Sequence, residues 1–286
     1  MKKMTRQKRV AAIHDISGFG KCSLTVALPI LSSAGIETSA LPTAVLSTHT
    51  GGISGFTYRD LTEDIRPFTR HWHSLGLHFD AVYSGFLGSF EQLELVSEFF
   101  DTFKTKDNLI FVDPVMADNG EMYKIFTPEF AKGMANLCRK ADIIVPNITE
   151  AAFLLGKTFQ EGPYTKNYIE KMLMDLTTLG VEKVVLTGVF FDDKELGAAT
   201  YDKNTGAIDY ILASRIPGYY HGTGDVFGSA LLAGLLNGFN LKEATRIAVR
   251  FTTESISRTY RAKTDIRFGV DFERSIPEFL KDLKLV

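Results

Sequence analysis

The feature that most constrains the fold of this chain is an alternation of short apolar segments with longer helical ones. The apolar segments are nearly continuous, as expected for strands that are covered on both faces, and they span residues 9–14, 38–46, 81–84, 109–112, 142–145 and 183–187. Segments with helical periodicity lie between them, at residues 22–34, 62–75, 90–103, 128–139, 149–155 and 166–179. This alternation predicts an α/β sandwich of three layers, with a mostly parallel central sheet and helices on both faces.

The pattern changes after residue 187. Residues 196–201 and 207–213 flank a polar stretch and predict an antiparallel hairpin in the C-terminal third. Three helices are predicted to follow, at residues 226–237, 241–261 and 271–283. No linker, break in composition or repeat divides the chain, so residues 1–286 are predicted to form a single domain.

Charge and composition exclude several classes of partner. The formal net charge of −2 provides no overall attraction to nucleic acid or to an anionic membrane. The basic residues at positions 2–9 are followed by an apolar run of only four residues, too short for a secretory signal. No apolar run approaches the ~18 residues of a membrane span. Cys22 and Cys138 are predicted to be reduced thiols, and the protein is predicted to be cytoplasmic.

The sequence Gly-Thr-Gly-Asp at residues 222–225 runs directly into the apolar helical segment that starts at Val226. Glycines allow a tight turn whose N–H groups converge at the positive end of the helix dipole, where phosphate charge would be stabilised. Asp225 would stand beside this anion site and could accept the proton of an alcohol. The helix start favours its ionised form, an available but weak base. The alternative is a glycine turn whose Asp only caps the helix.

Three polar clusters that follow predicted strands are candidates for contact with a small substrate. They are residues 15–20 with Asp15 and Ser17, residues 47–52 with Ser47, and residues 84–89 with Phe86. Ligands of open α/β sheets bind at the carboxyl ends of the strands, which favours this interpretation. Ordinary turns, and a Phe86 buried in the core, are the alternatives.

Acidic and amide residues follow the next strands. Asp113 and Asp118 could hold Mg²⁺ near substrate phosphates, although a turn built on Asp113-Pro114 would also explain them. Asn147 and Glu150 fit an N-cap with a reciprocal carboxylate, a role compatible with a site. The Thr187 hydroxyl could meet a nucleotide phosphate. Neither a P-loop nor the loop signatures of protein kinases is present in the sequence.

Taken in order, these clusters resemble the ribokinase-like superfamily and, within it, the pyridoxal kinases. Residues 113–116, Asn147 with Glu150, and residues 222–225 match the superfamily, whereas residues 47–50 and 84–89 are more particular to pyridoxal kinases. The resemblance covers nearly the whole chain. It implies ATP-dependent phosphorylation of the 5′-hydroxymethyl group of pyridoxal, pyridoxine or pyridoxamine in vitamin B6 salvage, by a homodimer.

The resemblance also implies residue roles. Asp225 would be the base, assisted by the amides of Gly222, Thr223 and Gly224. The metal site, for Mg²⁺ and a monovalent cation such as K⁺, would comprise Asp113, Asp118 and Glu150. The nucleotide would be bound by Asp113, Asn147, Glu150, Thr187, Gly188, Thr223 and Gly224. The vitamer would be bound by Asp15, Ser17, Thr43, Ser47 and Phe86.

Two positions depart from the pyridoxal kinase pattern, which commonly has Ser in place of Asp15 and Tyr in place of Phe86. The pattern Asp15-x-Ser17-Gly18-x-Gly20 is similar to that of hydroxymethylpyrimidine kinases, which leaves that pyrimidine as an alternative substrate.

A sugar or nucleoside kinase would need a lid insertion for which residues 15–46 leave no room. A non-catalytic nucleotide-binding homologue would not need Asp225.

Overall fold

A central nine-stranded sheet organises the chain in the computed structural model, which describes residues 6–286. Residues 1–5, part of the predicted basic tail, lie outside the described residues. The strands in the large sheet are β1 (Arg9–Phe19), β2 (Glu37–Thr48), β3 (Tyr58–Asp60), β4 (Ala81–Ser84), β5 (Leu109–Val112), β8 (Ile143–Ile144), β9 (Lys183–Val189), β10 (Glu195–Asp202) and β11 (Ala207–Ser214). A separate two-stranded sheet consists of β6 (Ala117–Asp118) and β7 (Glu121–Met122).

The strand order is β11-β10-β9-β8-β5-β4-β1-β2-β3. Strand β1 pairs in parallel with both β2 and β4, and the parallel pairing continues from β4 through β5 and β8 to β9. Antiparallel strands close the two ends: the hairpin β10–β11 beside β9, and β3 beside β2. The predicted mostly parallel sheet and the C-terminal hairpin are therefore confirmed.

Nine α-helices in the described residues cover the two faces of the sheet. One face is covered by α2 (Thr62–Ser74), α3 (Phe90–Phe103), α4 (Pro128–Cys138), α5 (Ile148–Leu154) and α6 (Lys166–Leu176). The other is covered by α1 (Leu24–Ser33), α7 (Thr223–Leu236), α8 (Leu241–Ala262) and α9 (Ile276–Asp282). Each face holds its own buried apolar cluster because side chains alternate along the strands: Ala11 and Ile13 join the first cluster, and Val10 joins the second.

Several element boundaries differ from the prediction. Strand β1 continues through residues 15–19, which were expected to form a loop, because Ile16 and Ser17 pair with Val45 and Leu46 after a bulge. Helix α7 begins at Thr223, three residues before the expected start, so the Gly-Thr-Gly-Asp motif forms its first turn. Strands β3, β6 and β7 were not expected. The helix predicted over residues 271–283 is a short 3-10 turn at Glu273–Ser275 followed by α9.

No helix within residues 6–286 combines the length and the apolar character that crossing a bilayer requires.

Candidate active site

The polar clusters singled out in the sequence meet at one edge of the sheet. Because β1, β2, β4, β5, β8 and β9 are all parallel, their carboxyl ends point the same way. The chain leaves β1 for β2 on one side and later returns to β4 on the other, which makes β1 and β4 the point where the winding reverses. Open α/β sheets bind their ligands at such a point.

The first turn of α7 is shaped by Gly222. Its φ of 73° lies in the left-handed region, and a Cβ there would collide with the carbonyl oxygen of Lys21 and stand 3.3 Å from Cys22 Sγ. Glycine is therefore required at this position. The first backbone N–H groups of a helix have no carbonyl partner within that helix, so residues 222–224 can present N–H groups to an anion. The Thr223 hydroxyl donates to the Tyr220 carbonyl oxygen at 3.1 Å, which steadies the turn.

Asp225 lies in this first turn with only 15% of its side chain exposed. The pKa of Asp225 rises from 3.8 to about 7, mainly because of burial; the Ser23 amide opposes this rise and the nearby Asp15 carboxylate adds to it. The expectation that the helix start keeps Asp225 a weak, ionised base is therefore wrong. Desolvation of the carboxylate outweighs the helix dipole. A carboxyl group with a pKa near 7 is better suited to take a proton at neutral pH.

Asp113 lies against the same turn. The side-chain positions of Gly224 and Gly228 face its Oδ2 at 3.9 and 3.8 Å. Asp113 is buried, and both burial and the Asp225 carboxylate raise its pKa well above the usual value. Two buried carboxyl groups that disfavour each other's charge would both be relieved by a bound cation.

Asn147 and Glu150 form the predicted capping box at the start of α5. Asn147 Oδ1 accepts the Glu150 N–H at 2.8 Å, and Glu150 Oε2 accepts the Asn147 N–H at 2.8 Å. Glu150 Oε1 also accepts the Met116 N–H at 3.2 Å, and Asn147 Nδ2 donates to the Ala117 carbonyl oxygen at 2.9 Å. The cap is confirmed. Because both Glu150 oxygens already accept backbone N–H groups, its carboxylate would reach a metal ion most readily through water.

The remaining residues proposed to bind the nucleotide or its metal ion lie on β6 and β9. Asp118 accepts the Tyr219 hydroxyl at 2.5 Å and the Asn119 N–H at 2.8 Å. Thr187 lies within β9 and its Oγ1 is 3.5 Å from the Pro146 carbonyl oxygen; the strand then continues through Gly188.

The acidic residues do not form a preassembled metal cage. Within residues 6–286, no group of three or more His, Cys, Asp or Glu side chains is arranged to hold a metal ion. Magnesium commonly uses one or two protein carboxylates together with water and substrate phosphates. Asp113 and Glu150 fit that requirement. Both carboxyl groups are buried, and burial and neighbouring negative charge raise the pKa of each.

On the substrate side, Asp15 is a buried carboxyl group at the centre of a small hydrogen-bonded cluster. Its carboxylate accepts the Ser23 hydroxyl at 2.5 Å and the Ser17 hydroxyl at 3.3 Å. Burial raises its pKa, and the two hydroxyl groups partly offset that rise. Thr43 is buried nearby on the paired strand β2, and its hydroxyl has no hydrogen-bond partner within the protein.

Two other proposed substrate residues lie farther out. Ser47 is exposed, and its Oγ accepts the Thr57 N–H at 2.9 Å. Phe86 is half-buried and packs on Phe126, with ring centroids 5.8 Å apart. The structure therefore brings Asp15, Ser17 and Thr43 into one buried group and leaves Ser47 and Phe86 nearer the surface.

Sequence reasoning missed Ser23, which links the two sides of the site. Its hydroxyl binds Asp15, and its amide acts on the Asp225 carboxylate. Its φ of 56° is unusual for a residue other than glycine, a type of backbone strain that concentrates at functional sites. The sequence pattern placed Ser23 inside the helical segment of residues 22–34, whereas in the structure it is the residue before α1.

Residues 265–273 were also missed, although they contact the loops after β1 and β2. The Phe268 carbonyl oxygen accepts the Lys21 N–H at 3.0 Å, and the Arg267 carbonyl oxygen accepts the His49 Nε2–H. His49 Nδ1 in turn accepts the Gly51 N–H at 3.0 Å, which fixes the tautomer of the ring. The Lys21 ammonium adds contacts to Asp271 and Glu273, both at 2.9 Å. These contacts tie the loops after β1 and β2 to the C-terminal segment.

A groove elsewhere on the molecule shares none of these residues. It has a volume of about 490 Å³ and lies between β11, α8 and α9, lined among others by Ile211, Arg250 and Phe279.

This fold and site, together with the similarity to known kinases, define a small-molecule kinase of the ribokinase-like superfamily. A family model described as phosphomethylpyrimidine kinase matches residues 35–268. The chain belongs to this family and, within the superfamily, to its pyridoxal kinases.

Two solved structures and one named relative agree with this assignment. A Bacteroides thetaiotaomicron protein, solved in a crystal form with pyridoxal, is 36% identical, with a TM-score of 0.92 over 96% of each chain. The pyridoxal kinase of Lactobacillus plantarum is 31% identical, with a TM-score of 0.88 over 97% of this chain and 98% of that one. The pyridoxine kinase of Bacillus subtilis is 29% identical over 187 residues, 65% of this chain and 66% of that protein. The match thus spans about two thirds of the length of the Bacillus relative.

Proposed function

We propose that this chain transfers the terminal phosphoryl group of ATP to the 5′-hydroxymethyl group of a B6 vitamer: pyridoxal, pyridoxine or pyridoxamine. The observation that carries the proposal is Asp225, a buried carboxyl group with a pKa of about 7, in the first turn of a helix that can bind phosphate. An anion site beside a base is what phosphorylation of an alcohol requires. The pyridoxal-bound relative supports the choice of ring.

In the proposed reaction, the alcohol oxygen forms a bond to the γ-phosphorus while the bond from that phosphorus to the β–γ bridging oxygen breaks. The alcohol proton passes to Asp225, and ADP leaves with the bridging oxygen. The amides of Gly222, Thr223 and Gly224 stabilise the charge on the transferring group. Because phosphoryl transfer is loose, the proton moves late, and a base with a pKa near 7 is sufficient.

Asp113 and Glu150 would hold Mg²⁺, Glu150 through water, with Asp118 at the edge of the same region. When bound, the ion neutralises negative charge on the phosphate oxygens. A monovalent cation such as K⁺ belongs to the same proposal. Asn147, Thr187 and Gly188 would lie along the nucleotide phosphates. The raised pKa values of Asp113 and Glu150 support a cation here, since its charge would stabilise both carboxylates.

On the vitamer side, Asp15 and Thr43 would bind the ring, with Ser17 orienting Asp15, and Ser47 and Phe86 contacting the substrate from nearer the surface. Asp15 could accept a hydrogen bond from a protonated ring nitrogen or from an amine, which favours pyridoxamine. The buried, unpartnered hydroxyl of Thr43 supports a polar ligand at this position.

A homodimer, a cytoplasmic location and a single kinase domain complete the proposal. Phe19 and Phe268 support a contact surface between two copies, because they are exposed and their rings pack together with centroids 5.0 Å apart. Both cysteines are unpaired, as expected in a reducing compartment. Light scattering of the purified protein tests the dimer.

A single substrate panel tests the activity. ATP consumption is measured with each of the three vitamers and with hydroxymethylpyrimidine, and the phosphorylated product is identified by mass. The proposal expects turnover of at least one vitamer that exceeds turnover of the pyrimidine. A preference for the pyrimidine would assign the chain to the alternative reaction. ATP binding without turnover of any alcohol would indicate a non-catalytic homologue.

A further inference from the structure

A buried histidine, His14, lies beside the proposed base. It is on β1, immediately before Asp15, and its side chain is completely buried. Neither ring nitrogen has a hydrogen-bond partner within the protein. Its Nδ1 faces Asp225 Oδ1 across 4.0 Å. A buried polar ring without partners is costly, so its presence at this point of the fold calls for an explanation.

Close packing fixes the position of the ring. Tyr83 on β4 packs edge-on against it, with ring centroids 4.3 Å apart and planes 84° apart. Gly85 follows on the same side, and a Cβ there would collide with His14 Nδ1. Tyr83 is in turn seated against α7, where a Cβ on Gly228 would come within 2.6 Å of its hydroxyl oxygen. Two glycines thus make room for a His14–Tyr83 pair that connects β1 and β4 with the helix of Asp225.

We infer that His14 is a positioning residue for Asp225: its Nδ1–H donates to Asp225 Oδ1 and so directs the other carboxylate oxygen towards the substrate alcohol. The inference deepens the proposed function and rests on it for the role of Asp225. The 4.0 Å separation is longer than a hydrogen bond, which needs about 2.7–3.2 Å, and a turn of the Asp225 carboxylate of about 1 Å would close it.

The surroundings of Asp225 favour this arrangement. The other titratable groups that act on it or respond to its charge are Asp15, Cys22, Tyr83 and Asp113. None of these carries positive charge, so the orientation of Asp225 depends on neutral donors. Burial lowers the pKa of His14 to about 3, and the ring is therefore neutral and carries one N–H. The ring faces the carboxylate from β1, and the Ser23 amide acts on it from the residue before α1.

Two substitutions test the role kinetically. His14→Leu removes the donor, whereas His14→Asn places an amide N–H near the position of Nδ1. Misplacement of a catalytic group can cost about 100-fold in rate, so we expect a fall in kcat of roughly 10- to 100-fold for His14→Leu, with KM for ATP unchanged. His14→Asn should recover most of the lost kcat. His78→Leu, at an exposed histidine, is the matched control. A wild-type kcat in His14→Leu, or an equal loss in both His14 variants, would overturn the inference.

The tautomer can be measured without any substrate. In a ¹⁵N-histidine spectrum of the whole protein, the positioning role requires His14 to carry its proton on Nδ1 and to shift in Asp225→Asn. A proton on Nε2, or a His14 signal unaffected by Asp225→Asn, would refute the role even if the leucine variant fails to fold. Because this readout needs no turnover, it also separates failure of the His14 role from failure of the proposed kinase activity.

Discussion

The burial that raises the pKa of Asp225 should also destabilise the folded protein, and the cost can be calculated. The pKa of Asp225 rises from 3.8 in an exposed state to about 7 in the fold. When folding raises the pKa of a carboxyl group, the folded protein loses stability as that group ionises, by about 1.36 kcal/mol per pH unit. The difference between the two pKa values of Asp225 therefore corresponds to about 4 kcal/mol. The penalty is absent below about pH 4, where both states are protonated, grows up to about pH 7, and is constant above that.

Asp225→Asn removes the charge and keeps the shape of the side chain. We expect its free energy of unfolding to exceed that of the wild type by about 2–4 kcal/mol at about pH 8, the lower figure allowing for the buried polar amide. The gain should disappear near pH 4. The same variant should lose roughly 10²–10⁴-fold in kcat, because the base is gone. Relief of Asp113, whose pKa is raised by the Asp225 charge, acts in the same direction on stability.

Urea unfolding at the two pH values measures this difference, with Asp107→Asn, the same change at an exposed loop position, as the control. The control should show little change in stability at either pH. An Asp225→Asn protein that is no more stable than the wild type at about pH 8 would refute the claim that Asp225 is held in an unfavourable environment. So would a gain of equal size at both pH values.

Three further results are expected. Turnover should rise as Asp225 loses its proton and level off above about pH 7; a rate–pH profile that is flat through this range would contradict that. Gly222→Ala should unfold at lower temperature than Gly238→Ala and lose turnover. Both glycines have positive φ, which costs an L-residue about 1–2 kcal/mol, but only Gly222 also faces a backbone carbonyl. Equal melting temperatures would exclude the collision. Asp15→Ser should change the ratio of turnover among the three vitamers without changing KM for ATP, and an unchanged ratio would place Asp15 outside the ring site.

Much of this architecture could be predicted from the sequence, because strands buried on both faces are nearly continuous in apolar residues and therefore visible. The carboxyl-end rule for parallel sheets then located Asp113, Asn147 and Glu150 correctly at one edge. Boundaries were harder where tertiary contacts override local preference. Residues 15–19 contain Asp, Ser and Gly, which disfavour strands, yet pairing with β2 extends β1 through them.

The residues that govern the behaviour of Asp225 could not be found in the same way. The protonation of Asp225 depends on how deeply its first helical turn is buried, which no local pattern reports. His14 on β1 faces Asp225 across 4.0 Å, and the Ser23 amide acts on Asp225 from the loop after β1, about 200 positions earlier in the sequence. A histidine next to an aspartate, or a serine before a helix, has no distinctive spacing, so only the folded arrangement reveals their relation to the base.

The contacts of Arg267, Phe268, Asp271 and Glu273 with the loops after β1 and β2 bear on synthesis as well as on shape. Because synthesis runs from the N-terminus, all nine strands of the large sheet are made before these four residues, and the sheet can form before the contacts do. A polypeptide that has formed the sheet but not these contacts would lack the final anchors of the loops after β1 and β2.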